Sequence, residues 1–320
     1  MAVYTEVTDD ELISFIAEYD VGVVVSYKGI AEGVENSNYL LKTEQGTFIL
    51  TLYEKRVDPA DLPFFLTLME HVAGRGIAAP TPIKGRDGNS LRRLGGRPAA
   101  LFTFLDGMWP RRINPDHCAA VGEGVARFHL AAADFAMSRP NALSLTSWRP
   151  LLDAVDGRAD EVKPGLAREL TAELEDLEAD WPTGLPLGVI HADLFPDNVF
   201  FLGNRLSGFI DFYFACTDFL AYDLAVCLNA WCFESHRTFN VTKARRMLTG
   251  YRRVRAITDD ELAALPMLAR GSAIRFLLTR IYDWLNTPPD AMVTRKDPLE
   301  FLEKLRFHRT VKGPGDYGLD

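Results

Sequence analysis

Residues 191–198 read HADLFPDN, and residues 208–225 read GFIDFYFACTDFLAYDLA; together they hold most of the informative polar chemistry of the chain. The first stretch places the carboxylate of Asp193 one short loop before the amide of Asn198, and the apolar run GFID ends at Asp211. A carboxylate can accept the proton of an attacking hydroxyl, and carboxylate and amide oxygens are the hard ligands that Mg²⁺ prefers. The sequence therefore predicts a base at Asp193 and magnesium ligands at Asn198 and Asp211.

The spacing of residues 191–198 fits the pattern H-x-D-L-x-x-x-N of the kinase catalytic loop, and the match includes Leu194. In that chemistry the aspartate orients the attacking hydroxyl, while the asparagine and a later aspartate hold the metal on the phosphates of ATP. A single loop aspartate more often forms a turn, so the prediction depends on the whole set occurring together. His191 belongs to the same catalytic loop, where fixing the loop through the backbone is a commoner role than proton transfer.

Length and charge narrow the class of protein. The chain has 320 residues, which is long for one hydrophobic core and comfortable for two lobes. Its formal net charge of −9 argues against a nucleic-acid or anionic-membrane partner, because both need clustered lysine and arginine. The N-terminus lacks the cationic flank and apolar core of a signal peptide, and the four cysteines form no CxxC pair. We therefore expect a cytoplasmic enzyme with reduced thiols, either a monomer or a homodimer.

The first third of the sequence predicts a small sheet, which we assign to an N-terminal nucleotide-binding lobe over residues 1–105. Thr8 followed by Glu11 forms a capping box that begins a helix ending near Asp20. The order after it is three strands, a helix and two strands. The clearest of these elements are strands at 22–29, 36–43 and 47–53 and a helix at 61–73. This order indicates an antiparallel sheet that carries one main helix.

Beyond this lobe the pattern becomes helical, which predicts a larger catalytic and substrate-binding lobe over residues 106–320. The predicted helices lie at roughly 115–134, 147–156, 164–180, 219–233, 240–253, 259–269 and 271–285. A compact β-rich segment that includes residues 191–198 interrupts them. The predicted fold class is therefore α+β, with two lobes.

Both catalytic stretches resemble the aminoglycoside phosphotransferase and choline kinase superfamily. Flanking segments are similar, more narrowly, to its homoserine kinase family, over about residues 3–308: GIAEGVENSNYLL, TFILTLYEKR, DLPFFLTLMEHVAGRG and RGSAIRFLLTR. The resemblance implies a two-lobed protein-kinase-like fold, ATP and Mg²⁺ as co-reactants, L-homoserine as the small-molecule substrate and a place in threonine biosynthesis. It matches Asp193 to the family's catalytic base, and Asn198 and Asp211 to its metal ligands.

The resemblance also implies where the nucleotide binds. Residues 29–39, GIAEGVENSNY, correspond to the loop over the phosphates, where Gly29 and Gly33 permit close approach of backbone amides. Asn36 and Asn38 lie in the same loop and are expected to contact nucleotide or substrate.

The stretch LFTFLDG at 101–107 matches the hinge between the lobes. In that alignment the backbone of Thr103 and Leu105 holds the adenine edge. Main-chain contacts leave almost no trace in sequence, so this assignment depends on the resemblance alone.

The sequence departs from the protein-kinase pattern on the third strand. Thr51 stands where the phosphate-binding lysine is expected, and Leu66 stands where its glutamate partner is expected. The negative charge of the phosphates would then be neutralised by Mg²⁺, by loop amides and by Lys55 or Lys42. Lys55 also fits a solvated residue at the end of a strand.

Homoserine is a zwitterion with a terminal hydroxyl, so its pocket needs a cation for the carboxylate and an acid for the ammonium. Arg275 and Arg280 lie in an otherwise apolar helix, and we select Arg275 because a guanidinium binds a carboxylate through two parallel hydrogen bonds. Asp218 is the candidate for the ammonium, and Tyr213 and Trp231 are candidate walls. Core packing is the commoner role for such an aromatic-rich stretch.

Other functions fit parts of the pattern. Kinases for choline, methylthioribose or an aminoglycoside would use the same catalytic loop. A regulatory, nucleotide-binding pseudokinase would account for the missing lysine, and a metal-dependent hydrolase would release phosphate without an acceptor.

Overall fold

The computed structural model describes residues 5–30, 36–54, 57–155, 157–287 and 295–319. Its fold is of the predicted α+β class. The contacts divide the chain into two compact units. The first unit comprises Met1–Gly107, Phe135–Met137 and Ser207–Tyr213, and the second comprises Met108–Asp134, Ser138–Leu206 and Phe214–Asp320. Asp211 therefore belongs to the first unit, although it follows the catalytic loop in the sequence.

The first unit is built on an antiparallel sheet of five strands in the order β1-β2-β3-β5-β4. Thr8 and Glu11 form the predicted capping box at the first helix. The predicted order of helix, three strands, helix and two strands is confirmed. The elements are α1 (Asp9–Ile16), β1 (Val24–Gly29), β2 (Asn36–Thr43), β3 (Gly46–Tyr53), α2 (Leu62–Gly74), β4 (Leu91–Leu94) and β5 (Arg97–Thr103).

The two faces of this sheet differ in chemistry because side chains alternate along each strand. One face packs on α1 through a core that includes Leu41, Leu50 and Leu52. The strand register pairs Asn38 with Thr51, so these polar residues lie on the opposite face. The face opposite α1 therefore carries Thr51, the position at which the protein-kinase pattern expects the phosphate-binding lysine.

The second unit is mainly helical, with short strands around the catalytic loop. Strands β6 and β9 form one antiparallel pair, and β7 and β8 form another two-stranded sheet. The elements from residue 115 onward are α3 (Pro115–Ala131), α4 (Leu145–Asp153), α5 (Ala159–Val162), α6 (Leu166–Asp180), β6 (Leu187–Ile190), β7 (Val199–Leu202), β8 (Arg205–Phe209), β9 (Cys216–Phe219), α7 (Leu220–Trp231), α8 (Val241–Arg252), α9 (Asp259–Asn286) and α10 (Leu299–Thr310).

The prediction of two helices at 259–269 and 271–285 is wrong, because α9 runs through both without a break. Gly271 lies at the boundary between the two predicted helices, and its role is close packing. A Cβ added at Gly271 would lie 2.4 Å from a ring carbon of Trp181 and 2.7 Å from one of Trp148. The glycine therefore lets the helix approach two indole rings and does not end it.

Helix α9 is the central helix in the hydrophobic core of the second unit. Ile274, Leu277 and Ile281 have no exposed surface and pack with Trp148 and Phe301. By length and composition α9 passes the test for a membrane-spanning helix, yet 56% of its most apolar window is buried within the protein. Burial of this kind is expected for the core helix of a globular unit.

Candidate active site

The catalytic loop follows β6 directly and closes through an aspartate–asparagine contact. The side-chain amide of Asn198 donates from Nδ2 to the backbone carbonyl of Asp193 at 2.8 Å and to its carboxylate Oδ2 at 3.0 Å. Asn198 is 9% exposed, and Asp193 is partly exposed. With Nδ2 committed, the amide oxygen Oδ1 of Asn198 is the atom left to face a cation. The amide thus holds the carboxylate of Asp193 and keeps its own oxygen out of these two bonds.

The backbone before Asp193 is held in an unusual conformation. Ala192 has a φ of 61°, a left-handed value that side chains other than those of asparagine and aspartate seldom adopt. Asp223 on α7 accepts the N–H of His191 at 2.8 Å and the N–H of Ala192 at 2.7 Å. Arg275 on α9 donates to the carbonyl of Ala192 from the other side. Strained backbone persists where its surroundings over-determine it, and these contacts do so.

Asp223 is fully buried and remains ionised. Burial raises the pKa of its carboxyl, but the hydrogen bond from His129 and the positive potential of neighbouring groups outweigh burial and leave the pKa below its usual value. The ring of His129 lies 3.1 Å from Asp223 through Nε2 and 2.8 Å from the Tyr251 hydroxyl through Nδ1. Asp223, on α7, therefore binds the backbone of the catalytic loop.

His191 lies in the interior with its ring unexposed and 6.4 Å from the ring of Phe128, between centroids. The backbone N–H of His191 donates to Asp223, and this bond helps to fix the conformation of the loop. This placement favours the loop-fixing role over proton transfer.

Two residues predicted for the acceptor pocket instead contact the backbone of the catalytic loop. Arg275 is 2% exposed, and its guanidinium lies 5.4 Å and 4.5 Å from the ring centroids of Phe214 and Phe276. Trp231 is fully buried and donates from Nε1 to the carbonyl of Leu194 at 2.7 Å. Both side chains thus bind backbone carbonyls of the loop that carries Asp193.

Asp218 lies on β9 in the second unit and is partly exposed. Its carboxylate accepts the amide of Asn141 at 2.8 Å and the N–H of Phe219 at 2.7 Å. Burial raises its pKa above the usual value, with the bonds from Asn141 and Phe219 opposing the rise. Because Asp218 is partly exposed and its carboxylate is held by fixed donors, it remains suited to bind a cationic group.

The Asp211 segment belongs to the first unit and is anchored at its start. The N–H of Phe209 donates to the carbonyl of Ala78 at 3.0 Å, and a Cβ added at Gly208 would lie 2.3 Å from that same oxygen. Asp211 is exposed and has a φ of 62°, so its backbone is left-handed. The absence of a side chain at Gly208 permits the close approach to Ala78. The Asp211 carboxylate lies at the surface of the first unit.

Uncharged polar side chains occupy the place of the expected lysine. The Thr51 hydroxyl donates to Asn38 Oδ1 at 2.7 Å, and Thr51 is 3% exposed. The hydroxyls of Tyr53 and Tyr213 lie 3.2 Å apart, and their rings meet edge to face with centroids 5.4 Å apart. Burial raises the pKa of both phenols well above the usual value, so both are neutral. Lys42 is exposed on β2.

The other residues predicted for the nucleotide have mixed placements. The N–H of Thr103 is already used by the carbonyl of Thr81 at 3.0 Å, whereas Leu105 makes no backbone hydrogen bond to any described residue. Gly29 ends β1, and Asn36 is 4% exposed with Oδ1 3.4 Å from the N–H of Glu54. Gly33 and Lys55 lie outside the described residues.

The predicted donor set suits magnesium. Asn198 offers an amide oxygen and Asp211 a carboxylate, and Mg²⁺ typically takes one or two protein carboxylates while keeping water and phosphate oxygens. Among the described residues no three histidine, cysteine, aspartate or glutamate side chains cluster as a metal site.

Comparison with known proteins identifies the family. The model of the "Phosphotransferase enzyme family" matches residues 26–257. The homoserine kinase of Paramagnetospirillum magneticum is 65% identical over 326 residues, which cover 100% of both chains. This chain belongs to the phosphotransferase enzyme family and, within it, to the homoserine kinase family. The homoserine kinase of Rhodospirillum rubrum is also 65% identical, over 100% of this chain and 99% of the relative.

Solved structures share the family fold. An amicoumacin kinase superposes with a TM-score of 0.72 at 15% identity, over 94% of this chain and 92% of that chain. A choline kinase from Cryptosporidium parvum superposes with a TM-score of 0.67 at 15% identity, over 94% of each chain. At this identity the likeness establishes the fold alone. The predicted resemblance to the superfamily and to its homoserine kinases is confirmed.

Sequence reasoning missed His129, Tyr251 and Asn141. None belongs to a recognisable motif: His129 contacts the distant Asp223, Tyr251 contacts His129, and Asn141 contacts the distant Asp218. The one available signal was a histidine on the apolar face of a helix, which is more often a satisfied core residue.

Proposed function

We propose that this protein transfers the γ-phosphate of ATP to the hydroxyl of L-homoserine, giving O-phospho-L-homoserine and ADP, in the cytoplasm and in threonine biosynthesis. The observation that carries the proposal is the Asp193–Asn198 contact on a pinned loop, in a chain 65% identical to homoserine kinases along its whole length. An alcohol phosphotransferase needs just such a base beside a metal ligand.

In the proposed reaction, Asp193 accepts the proton of the homoserine hydroxyl as its oxygen bonds to the γ-phosphorus and the bridging bond to ADP breaks. Asn198 holds the Asp193 carboxylate through Nδ2, and its Oδ1, with Asp211, would hold Mg²⁺. The metal, when bound, neutralises charge on the transferring phosphoryl group. Catalysis is then mostly positioning, because the pinned loop keeps the base in place before substrate arrives.

We place the ammonium of homoserine at Asp218, which is partly exposed and already held by Asn141. Arg275 and Trp231 bind loop carbonyls and have almost no exposed surface, so we assign them to holding Asp193 in position. The backbone of Leu105 is our candidate for the adenine edge, since it makes no backbone bond to a described residue. The loop that begins at Gly29 is our candidate for the phosphates.

The first test measures ADP formation with Mg²⁺ across L-homoserine, L-serine, L-threonine, choline, methylthioribose and kanamycin. Turnover that strongly favours homoserine supports the proposal. Turnover on another acceptor keeps the kinase assignment and overturns the substrate. Nucleotide binding without turnover on any acceptor would instead favour a pseudokinase, the reading that Thr51 in place of a lysine keeps open.

The second test is Asp193→Asn, which keeps the side-chain shape and removes the base. We expect kcat to fall by about 10²–10⁴-fold, the usual contribution of a general base, while ATP affinity stays within a few-fold. A variant that turns over at the wild-type rate would remove Asp193 from the mechanism.

A further inference from the structure

The place of the expected lysine holds a chain of hydroxyls that reaches the Asp211 segment. Thr51 and Tyr53 lie two positions apart on β3, so both side chains point to the same face of the sheet. Thr51 is bonded to Asn38 on β2, and Tyr53 is bonded to Tyr213. All of these residues belong to the first unit. The sheet is therefore joined to the metal-ligand segment by neutral hydroxyl groups.

Tyr213 is fixed by its surroundings as well as by its hydroxyl. Its ring meets Phe65 of α2 edge to face, with centroids 5.6 Å apart, and meets Tyr53 in the same manner at 5.4 Å. Phe212, the residue between Tyr213 and Asp211, has no exposed surface. A ring held on two sides, with one polar atom bonded at its end, is a rigid anchor.

The Asp211 segment is held on both sides of Asp211. Upstream, the N–H of Phe209 is bonded to the carbonyl of Ala78. Asp211 itself has a left-handed backbone, a conformation that aspartate adopts more readily than most residues. Downstream, Phe212 is buried and the hydroxyl of Tyr213 is bonded to that of Tyr53. The direction of the Asp211 carboxylate therefore depends on both ends of this short segment.

We propose that Tyr213 is a positioning residue for the metal: its hydroxyl bond to Tyr53 fixes Asp211 in the orientation that receives the Mg²⁺ of a Mg²⁺–nucleotide complex. The role differs from that of the third-strand lysine in protein kinases, because that lysine holds the phosphates, whereas the tyrosine pair acts on a metal ligand. The inference rests on the proposed ATP-dependent function and concerns metal coupling, not the acceptor.

The test compares ADP affinity with and without Mg²⁺ by calorimetry in the wild type, Tyr213→Phe, Tyr53→Phe and the double variant. Phenylalanine keeps both ring contacts and removes the hydroxyl alone. We expect each single variant to weaken Mg²⁺–ADP binding by about tenfold, equivalent to about 1.4 kcal/mol, with metal-free ADP binding unchanged. The Mg²⁺ concentration for half-maximal activity should rise by a similar factor.

The double variant separates positioning from stability. Replacing both partners of a buried hydrogen bond is nearly neutral for stability, whereas removing one leaves the other unsatisfied. We therefore expect the melting temperature to recover in the double variant while Mg²⁺–ADP binding stays weakened to the level of a single variant. Tyr39→Phe is the matched control, because the Tyr39 hydroxyl donates to the carbonyl of Thr5 on the opposite face of the same sheet.

The outcomes are distinct. Equal weakening of ADP binding with and without Mg²⁺, or recovery of metal coupling in the double variant, would reduce Tyr213 to a packing role and overturn the inference. Unchanged Mg²⁺ coupling in both single variants would do the same. A wild-type protein that binds no nucleotide would overturn the proposed function itself.

Discussion

Asp223→Asn should disable the catalytic loop while leaving the chain folded. In the wild type one carboxylate accepts two backbone N–H groups, at 2.8 Å from His191 and 2.7 Å from Ala192, and also faces His129 at 3.1 Å. An amide can accept one of these N–H groups, but its own NH₂ must face the other. The substitution thus loses a charge-assisted bond and leaves a buried donor unpaired.

The magnitude follows from those contacts. A hydrogen bond to a charged group contributes roughly 1.5–3 kcal/mol, and an unsatisfied buried donor costs about 1–3 kcal/mol. The expected loss is therefore about 2.5–6 kcal/mol. This loss falls first on the loop, because the left-handed Ala192 loses the contact that holds its N–H.

Hydrogen exchange and steady-state kinetics test this prediction together. The amides of His191 and Ala192 should exchange much faster in the variant, and kcat should fall by about 10²-fold, as expected when a catalytic group is misplaced by about 1 Å. The KM for ATP should change little. Asp116→Asn is the control, since it removes an exposed ion pair with Arg246, which is worth only about 0.2–1 kcal/mol. A variant with wild-type kcat and unchanged exchange at both amides would refute the idea that Asp223 holds the loop.

Three further predictions concern stability and the acceptor. Burial, reinforced by Lys304, lowers the pKa of His308 from 6.5 to about 3, so between those values the unfolded chain binds a proton that the folded chain does not. The free energy of unfolding should therefore decrease below pH 6.5, by about 2 kcal/mol at pH 5. His308→Gln should remove most of this decrease, as measured by urea titrations at pH 7 and pH 5. A variant whose free energy of unfolding changes with pH as much as that of the wild type would contradict the prediction. Gly271→Ala should destabilise the protein by about 1–3 kcal/mol in thermal melts because its Cβ would meet the Trp181 ring, whereas Gly74→Ala, with open space around it, should not. Asp218→Asn should raise the KM for homoserine by about tenfold without affecting the KM for ATP, and an equal rise in both would argue against an ammonium contact.

The catalytic loop was predictable because its chemistry is local. Asp193 and Asn198 act within one short stretch, and the spacing itself reports the loop that joins them. The antiparallel sheet was also predictable, since the alternation on β2 and β3 and the turn at Gly46 are sequence signals. Both features depend on residues close together in the chain.

The support of the loop was not predictable, because it depends on tertiary contacts. Arg275 reads in the sequence as a cation in an apolar helix, which suits either a pocket or a buried backbone contact. Only the fold places it against the carbonyl of Ala192, 83 positions away. The continuity of α9 was not predictable for the same reason, since a glycine such as Gly271 in a helix signals either a break or a close neighbour, and the neighbour is Trp181.

The loss of the kinase lysine and of its glutamate partner is best understood as one change. A buried charge is tolerated only with a partner, and the lysine that would partner an acid at Leu66 is replaced by the uncharged Thr51. In this protein α2 instead presents aromatic rings, and Phe65 packs on Tyr213 where an acid would have to be desolvated. The sheet face can then carry hydroxyls and an amide without any ion pair among Asn38, Thr51, Tyr53 and Tyr213. On the proposal that Asp211 binds the metal, its carboxylate gains its orientation from neutral hydrogen bonds and packing, which salt screens far less than it would screen an exposed ion pair.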